Sequence, residues 1–516
     1  MTKQLLTFLL IFFLLPLKAQ DAFERLYRSE QNFISVDIKQ TVGGDYLLLS
    51  IPLEEDFGPT KRANVTRLGP KGDLIWSKDY TFDSTTQVTG ALTILPKGNF
   101  AFTTVELQPS MNKILTVANR QGNVIWSRSY GRIDTQIPGN YDNAIVLGEE
   151  DEKIKLFSTV YNTGRDEPYL AGLDSLGNIQ WAQVLVNENW DAEITDVEST
   201  QDTGFIIAGI LTGAINAGTL IKTDSVGNVE WSRSYRDIDS LESIFFNAVQ
   251  PTPDTGYIVV GTLNNLDGPI GIEAIIAKVD SVGNLLWSVR TETGAPDSII
   301  TRINNIVENE DGSGMVVAGR TFDVENADSY LWMMQIGSDS VDIAWQSRYS
   351  SITGQAVTQD GLAATMDGGA IFLSTQNGDG DQKAIPYLVK VDPEGSSSCQ
   401  DSLGIQLAEF ALFADTLVWT VQSVDTTEER TPEVESFSDF NIPVLQLDQP
   451  PPFCEGDPIN VTFDATTENA VSYEWSTGEV TPSIVATEAG QYIVDVRIET
   501  EICFNLCDTV TIQEIG

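Results

Sequence analysis

The chain has 516 residues, 74 acidic against 30 basic, a formal charge of −44 and no histidine. A surface so negative repels phosphate backbones and excludes nucleic acid as a partner. The lack of histidine removes Ser-His-Asp and Cys-His catalysis and the usual zinc sites, while the acidity suits divalent cations or a salt-rich habitat.

Residues 1–20 carry a charged start at Lys3, an apolar core over 5–17, and Lys18-Ala19-Gln20 ahead of Asp21. That is the pattern of a secretory signal. No cysteine stands at the cleavage region, which argues against a lipoprotein. No later stretch reaches the roughly 18 apolar residues needed to span a bilayer. The expectation is export without a membrane span.

Over residues 21–400 one pattern recurs. A strand ends in Lys278-Val279-Asp280, turns at Gly283-Asn284 and continues into a strand carrying Trp287. Two apolar runs around a Gly-Asn turn are a hairpin signature. The same pattern places Trp76, Trp126, Trp181, Trp231 and, more loosely, Trp345, so that successive tryptophans lie 50 to 58 residues apart. That is a propeller-blade period rather than a helical or leucine-rich one. A glycine before an apolar strand keeps the same spacing at Gly44, Gly98, Gly204, Gly256, Gly314 and Gly369, with a degenerate copy at Lys153. Seven markers define seven units, each with room for four strands.

The seventh unit stops at Cys399 and lacks its last strand. The N-terminal segment supplies a spare, with Phe23 and Tyr27 spaced as Trp76 and Tyr80 are. It is predicted to pair with residues near 387–392. Closure matters because an open ring exposes two sheet edges. The expected fold is therefore all-β, a seven-bladed β-propeller closed by the N-terminal strand; an open solenoid is the competing arrangement. Each tryptophan reads as a structural wedge between units. A buried indole hides about 150–250 Å², on the order of 4 kcal/mol at about 25 cal/mol per Å².

Residues 401–448 leave the repeat. The stretch 408–421 is strand-like, 426–440 is polar and acidic and reads as loop, and Pro450-Pro451-Pro452 reads as a stiff spacer. Residues 449–516 carry short alternating strands around Trp475, with cysteines near both ends, and predict a small β-sandwich. In an exported chain the cysteines pair, and four allow three pairings. The favoured one is Cys454 with Cys503, which leaves Cys399 with Cys507.

The Gly-Tyr-Ile-Val-Val-Gly strand with Lys-Val-Asp-x-x-Gly-Asn-x-x-Trp-Ser resembles the propeller repeats of large surface proteins of gliding Gram-negative bacteria. Cys399 in place of a last tryptophan is similar to the way those arrays end. Tyr473-x-Trp475-Ser-Thr-Gly478 and Gly490-x-Tyr492-x-Val494-x-Val496 resemble the Ig-like/PKD-like modules that follow in that family. The resemblance implies a secreted or outer-surface protein and says nothing of activity. It also implies type IX export through a further C-terminal sorting domain. The sequence to Gly516 does not include one, so either the chain is a fragment or its route differs.

The Gly-Asn-x-x-Trp pattern is also similar to the tryptophan-docking repeat of quinone-cofactor dehydrogenases. The charged and metal-binding groups that such a cofactor needs are not legible, so no cofactor is expected. Asn377, Asp379 and Asp381 alternate like Ca²⁺ ligands, but Gln382 stands where an EF-hand needs glycine. A solvated turn is the plainer reading. Asp-Ser or Asp-Thr triplets recur, as at Asp174, Asp224 and Asp280. They resemble bacterial O-glycosylation sites and equally fit hairpin capping. With no catalytic motif, the expectation is a non-enzymatic scaffold that recognises an extracellular glycan or protein, the Ig-like module serving as spacer. The alternative is a carboxylate-based hydrolase or lyase acting on polysaccharide, with paired acids on the propeller axis.

Overall fold

The computed structural model describes residues 22–515 except 30, 54–60, 83–85, 88–89, 107–112, 131–143, 149–152, 163–164, 214–215, 238–241, 266–271, 293–298, 324–327, 352–360, 378–383, 398–399, 404, 424–426, 431–432, 437–439, 442–444, 446, 452, 455–457 and 500–502. All of the regular structure described is strand. The signal-like segment 1–20, Asp379, Asp381 and Cys399 lie outside the described residues.

The arrangement is all-β and propeller-like. In each sequence unit successive strands pair antiparallel with their chain neighbours, and the fifth and sixth units are joined into one sheet by a parallel pair at Ile272 and Ile300. In the fourth unit the strands are Asp191–Ser199, Phe205–Thr212, Ala217–Thr223 and Val229–Asp237. The second and third strands are buried on both faces; the second is a nearly unbroken apolar run, and the third buries Thr219, Lys222 and Thr223 beside its apolar residues. The seventh unit takes Gly361–Ala364, Ala370–Asn377 and Ala384–Val391 from its own sequence and Phe23–Leu26 from the N-terminus. The register runs from Phe23 opposite Lys390 to Leu26 opposite Tyr387, within the predicted stretch. Glu24, fully buried there, accepts hydrogen bonds from the hydroxyls of Tyr387 and Ser397.

Contacts between successive units repeat. Tyr80, Tyr130, Tyr235 and Tyr349 each donate a hydroxyl to the hairpin carbonyl of the next unit, at Gly122, Gly177, Gly283 and Gly395, over 2.7 to 2.9 Å. Tyr27 makes the same bond to Gly72 of the first unit at 2.7 Å. The hairpin glycine is obligatory: Gly283 has φ +80°, and a Cβ there would come within 2.6 Å of the Trp231 ring. The second glycine marker has a different cause. A Cβ on Gly256 would meet the Val279 carbonyl at 2.5 Å, so only glycine lets the third strand's end approach. Beside that turn a buried lysine pairs with an aspartate, Lys222 with Asp202, Lys278 with Asp254 and Lys390 with Asp367, at 2.8 to 2.9 Å.

Residues 400–441 differ from expectation. They form short strands, each an additional outer strand on an existing sheet, taken in reverse order. Gln400–Ser402 joins the sixth unit, Gln406–Glu409 the fifth, Leu412–Thr416 the fourth and Thr420–Ser423 the third. Thr427–Arg430 and Glu433–Ser436, from the stretch read as loop, join the second and first. Phe440–Asn441 then pairs with Arg28–Ser29 beside the N-terminal strand. The segment is a belt. It escapes sequence reading because each piece needs only one paired edge, and backbone hydrogen bonds hold polar residues there as well as apolar ones.

The C-terminal segment forms three small sheets, the largest from Ala470–Trp475, Gly490–Glu499 and Cys503–Ile512. Phe463, Trp475, Tyr492 and Val510 fill its interior. Its core forms one cluster with that of the sixth and seventh units, a cluster that also holds Leu445 and Leu447. Pro450–Pro452 therefore does not hold it away from the repeats. Cys454 lies beside Ile515 in register, and Cys503 beside Glu499. The side chains of Cys454, Cys503 and Cys507 lie outside the described residues.

Candidate functional site

The first strand of every unit borders one cavity of about 1220 Å³, through Val36, Leu92, Leu147, Asp196, Asn247, Asn304 and Leu362 in turn. Among the described residues its wall carries six carboxyl groups, those of Asp37, Asp196, Glu198, Glu308, Glu310 and Asp311, against the single ammonium of Lys39. Val42 and Met366, 80% and 58% exposed, stand in the lining on first-to-second-strand turns.

The wall is polar because the first strands are irregular. Pairing slips by one residue in four of them, leaving Val36, Thr195, Asn247 and Asn304 as the extra residues. A bulge re-aims the side chains beside it. Asp37 follows one bulge: its Oδ1 accepts from its neighbour Ile38 N at 2.7 Å, and its Oδ2 from Leu92 N of the second unit at 2.8 Å. Asp196 follows another and bonds alike, to Val197 N at 2.9 Å and to Val249 N of the fifth unit at 2.8 Å. Both aspartates thus latch one unit to the next.

Lys39 Nζ lies 3.2 Å from Asp37 Oδ1. Burial works against its charge, but Asp37, Glu198 and Asp196 together outweigh that and raise its pKa. Asp196 and Glu198, two apart on one strand, share a face. Burial raises the Asp196 pKa against the pull of its backbone hydrogen bonds. For Glu198, burial comes first and the Asp196 charge second, both upward. Water reaches both side chains through the cavity, which tempers the shifts without reversing them. Burial also raises Glu308. Thr41 Oγ1, Thr195 Oγ1 and Asn309 Oδ1, all of wall residues, are buried without a hydrogen-bond partner.

The residues singled out by sequence lie elsewhere. Trp76, Trp126, Trp181, Trp231, Trp287 and Trp345 are half-buried, not buried as expected, and each leans on the next unit. Trp126, Trp231, Trp287 and Trp345 donate Nε1–H to carbonyls of the following hairpin at 2.9 to 3.3 Å. Trp76 and Trp181 lie against Gly122 and Gly227. The full-burial energy is therefore an upper value, and the tyrosine four residues after Trp76, Trp126, Trp231 and Trp345 is the truly buried group. Of the calcium candidates only the backbone of Asn377 is described, ending its strand. Among the described residues no three His, Cys, Asp or Glu side chains cluster as metal ligands. Asp174, Asp224 and Asp280 cap their hairpins, each accepting from two backbone N–H groups. Sequence reading missed the carboxylates of the cavity. The available signal was polar alternation in the strand before each glycine marker, as in Ser35-Val-Asp37-Ile-Lys39 and Asp196-Val-Glu198.

No protein-family model and no curated protein matches the chain. Among solved structures it is similar to the polysaccharide lyase Uly1, at 10% identity over 72% of this chain and 99% of that one, TM-score 0.47. It is also similar to a protein of unknown function from Dyadobacter fermentans, at 11% identity over 71% and 97%, TM-score 0.38. A third is the Nup133 β-propeller domain of Vanderwaltozyma polyspora, at 9% identity over 70% and 98%, TM-score 0.34. Likenesses this distant say nothing of activity.

Proposed function

We propose that this chain is an exported, non-enzymatic binding scaffold. In this reading it is a seven-bladed β-propeller closed by the N-terminal strand. It takes an extracellular glycan or protein segment at the axial cavity and carries a docked Ig-like module. The observation that carries it is one polar cavity bordered by the first strand of every unit. Closure is supported by the bond from Tyr27 to Gly72, the same bond that joins other consecutive units.

Binding is favoured over catalysis by what the acids already do. Carboxylate catalysis on a sugar needs two free carboxyls flanking the bond. Both oxygens of Asp37 and both of Asp196 are committed to backbone N–H groups. That leaves Glu198 without a free partner on its own strand. The alternative hydrolase or lyase rests on the remaining wall acids, Glu198 and Glu308 foremost, both raised by burial.

The test is a glycan and extracellular-protein array probed with the native chain and with Gln250→Trp, which fills the cavity from its wall. Saturable binding that the substitution abolishes, with the fold intact by circular dichroism, supports the reading. Release of reducing or unsaturated ends from polysaccharide, lost in Glu198→Gln, would replace it with the enzyme.

A further inference from the structure

We infer that the C-terminal segment is the clasp of the ring: docked, it holds the N-terminal strand in the seventh unit, and released, it lets that seam open while the other joints stay shut. This rests on the closure proposed above and not on any ligand. In six units the belt lies along the outermost strand, opposite residues that begin one or two places after the tryptophan. Arg233–Asp237 after Trp231 and Ser347–Tyr349 after Trp345 are examples. Phe23 holds the place of the tryptophan in the seventh unit, so the equivalent stretch is Arg25–Tyr27. Among the described residues no belt strand pairs there. The belt reaches only Arg28–Ser29, through Phe440–Asn441.

The C-terminal segment takes the place that the belt leaves. Its strand Cys503–Ile512 lies against Phe23–Leu26. Leu26 belongs to one apolar cluster with Tyr387 and Val389 of the seventh unit, Leu447 of the linking stretch, and Trp475 and Leu506 of the segment itself. Phe23, Glu24 and Leu26 are all buried, although theirs is the outermost strand of its sheet.

Glu24 shows why this joint needs a cover. Its carboxylate is fully buried and accepts hydrogen bonds from the hydroxyls of Tyr387 and Ser397. A carboxylate taken out of water is costly unless such bonds are kept, so water reaching the seam favours release of the strand. Other joints are also tied by the chain running from one unit into the next. Here the partners Glu24 and Tyr387 stand 363 residues apart, and only contacts hold them together.

The test is amide hydrogen exchange on the full chain and on variants of it. Trp475→Ala empties the interior of the C-terminal segment, whereas Leu447→Asp charges the cluster shared with the seventh unit and leaves the segment's own sheets whole. Both should speed exchange over Phe23–Leu26 and Ala384–Val391 about ten-fold or more, since local opening sets that rate. Phe205–Thr212 of the fourth unit should keep its native rate. Trp475→Phe, which keeps most of the ring, should fall between the native chain and Trp475→Ala. An unmoved seam in either Trp475→Ala or Leu447→Asp overturns the inference and leaves closure standing. A rise shared equally by the fourth unit also overturns it, because the loss would then be general. Free exchange of Phe23–Leu26 in the native chain would overturn closure and clasp together.

Discussion

The centre and the circumference of the repeat array solve opposite problems. Around the circumference polar groups are paired: hairpin aspartates cap their turns, tyrosines reach the next unit, and the belt covers the outer strands. At the centre the first strands bulge and acids crowd one lysine. The difference shows where stability is held and where it is given up. The rim holds the units together, and the axis gathers the charge.

The largest effect should come from breaking the rim at its most distant joint. A chain starting at Asn32 loses the ladder from Phe23 to Leu26 and the buried Phe23 and Tyr27. Net hydrogen bonds are worth about 1 kcal/mol each and a buried aromatic about 2 kcal/mol or more, a large part of a typical total of about 5–15 kcal/mol. It should aggregate or melt on the order of 10 °C lower than a chain starting at Asp21. If the two melt alike in a thermal scan, the N-terminal strand does not close the array.

Next in size is the belt. Trp419 donates Nε1–H to Ser232 Oγ at 3.0 Å and packs beside Ala192 and Leu211. Trp419→Ala should cost about 2 kcal/mol and speed proteolysis within residues 400–441. A stability loss with no change in cleavage pattern would mean the belt does not peel as a strip.

A paired substitution sharpens the comparison within the rim. Tyr27→Phe and Tyr235→Phe remove the same hydroxyl and each leave a buried carbonyl unpaired, at about 1–2 kcal/mol each in urea unfolding. Only Tyr27→Phe should also raise amide exchange in Ala384–Val391, since its joint is fastened by chain ends remote in sequence. Equal exchange in both variants would make the seam no weaker than any other joint.

The smallest effect, and of opposite sign, belongs to the axis. Burial raises Asp196 and Glu198, so the folded chain keeps protons that the unfolded chain has released. Their contribution to stability therefore falls as pH rises above the ordinary carboxylate range. Glu198→Gln should raise Tm at pH 8 and leave it nearly unchanged at pH 4. A uniform loss at both pH values would place Glu198 among the structural groups instead.

Most of the rim was legible because its residues are fixed by local geometry. The Gly283 turn needs a positive φ, the Gly256 position a backbone without Cβ, and Tyr27 stands at the spacing of its equivalents. Each constraint acts within a few residues and repeats, so the sequence shows it repeatedly. Of the belt only the strand-like character of 408–421 was legible, and none of its pairing. Glu428 and Glu429 sit in a strand only because the edge at Ser127–Tyr130 lies free beside them.

The sequence by itself determined the strand period, the unit boundaries, the glycine and tryptophan positions and the partner of the N-terminal strand. Tertiary structure alone decided that residues 400–441 run back around the outside, that the C-terminal core joins the last units, and that Asp37, Lys39, Asp196 and Glu198 meet in one cavity. The reason is range. Turn chemistry and side-chain alternation act over a few residues and leave a mark there, whereas edge pairing and charge convergence depend on surfaces that exist only once distant units have assembled.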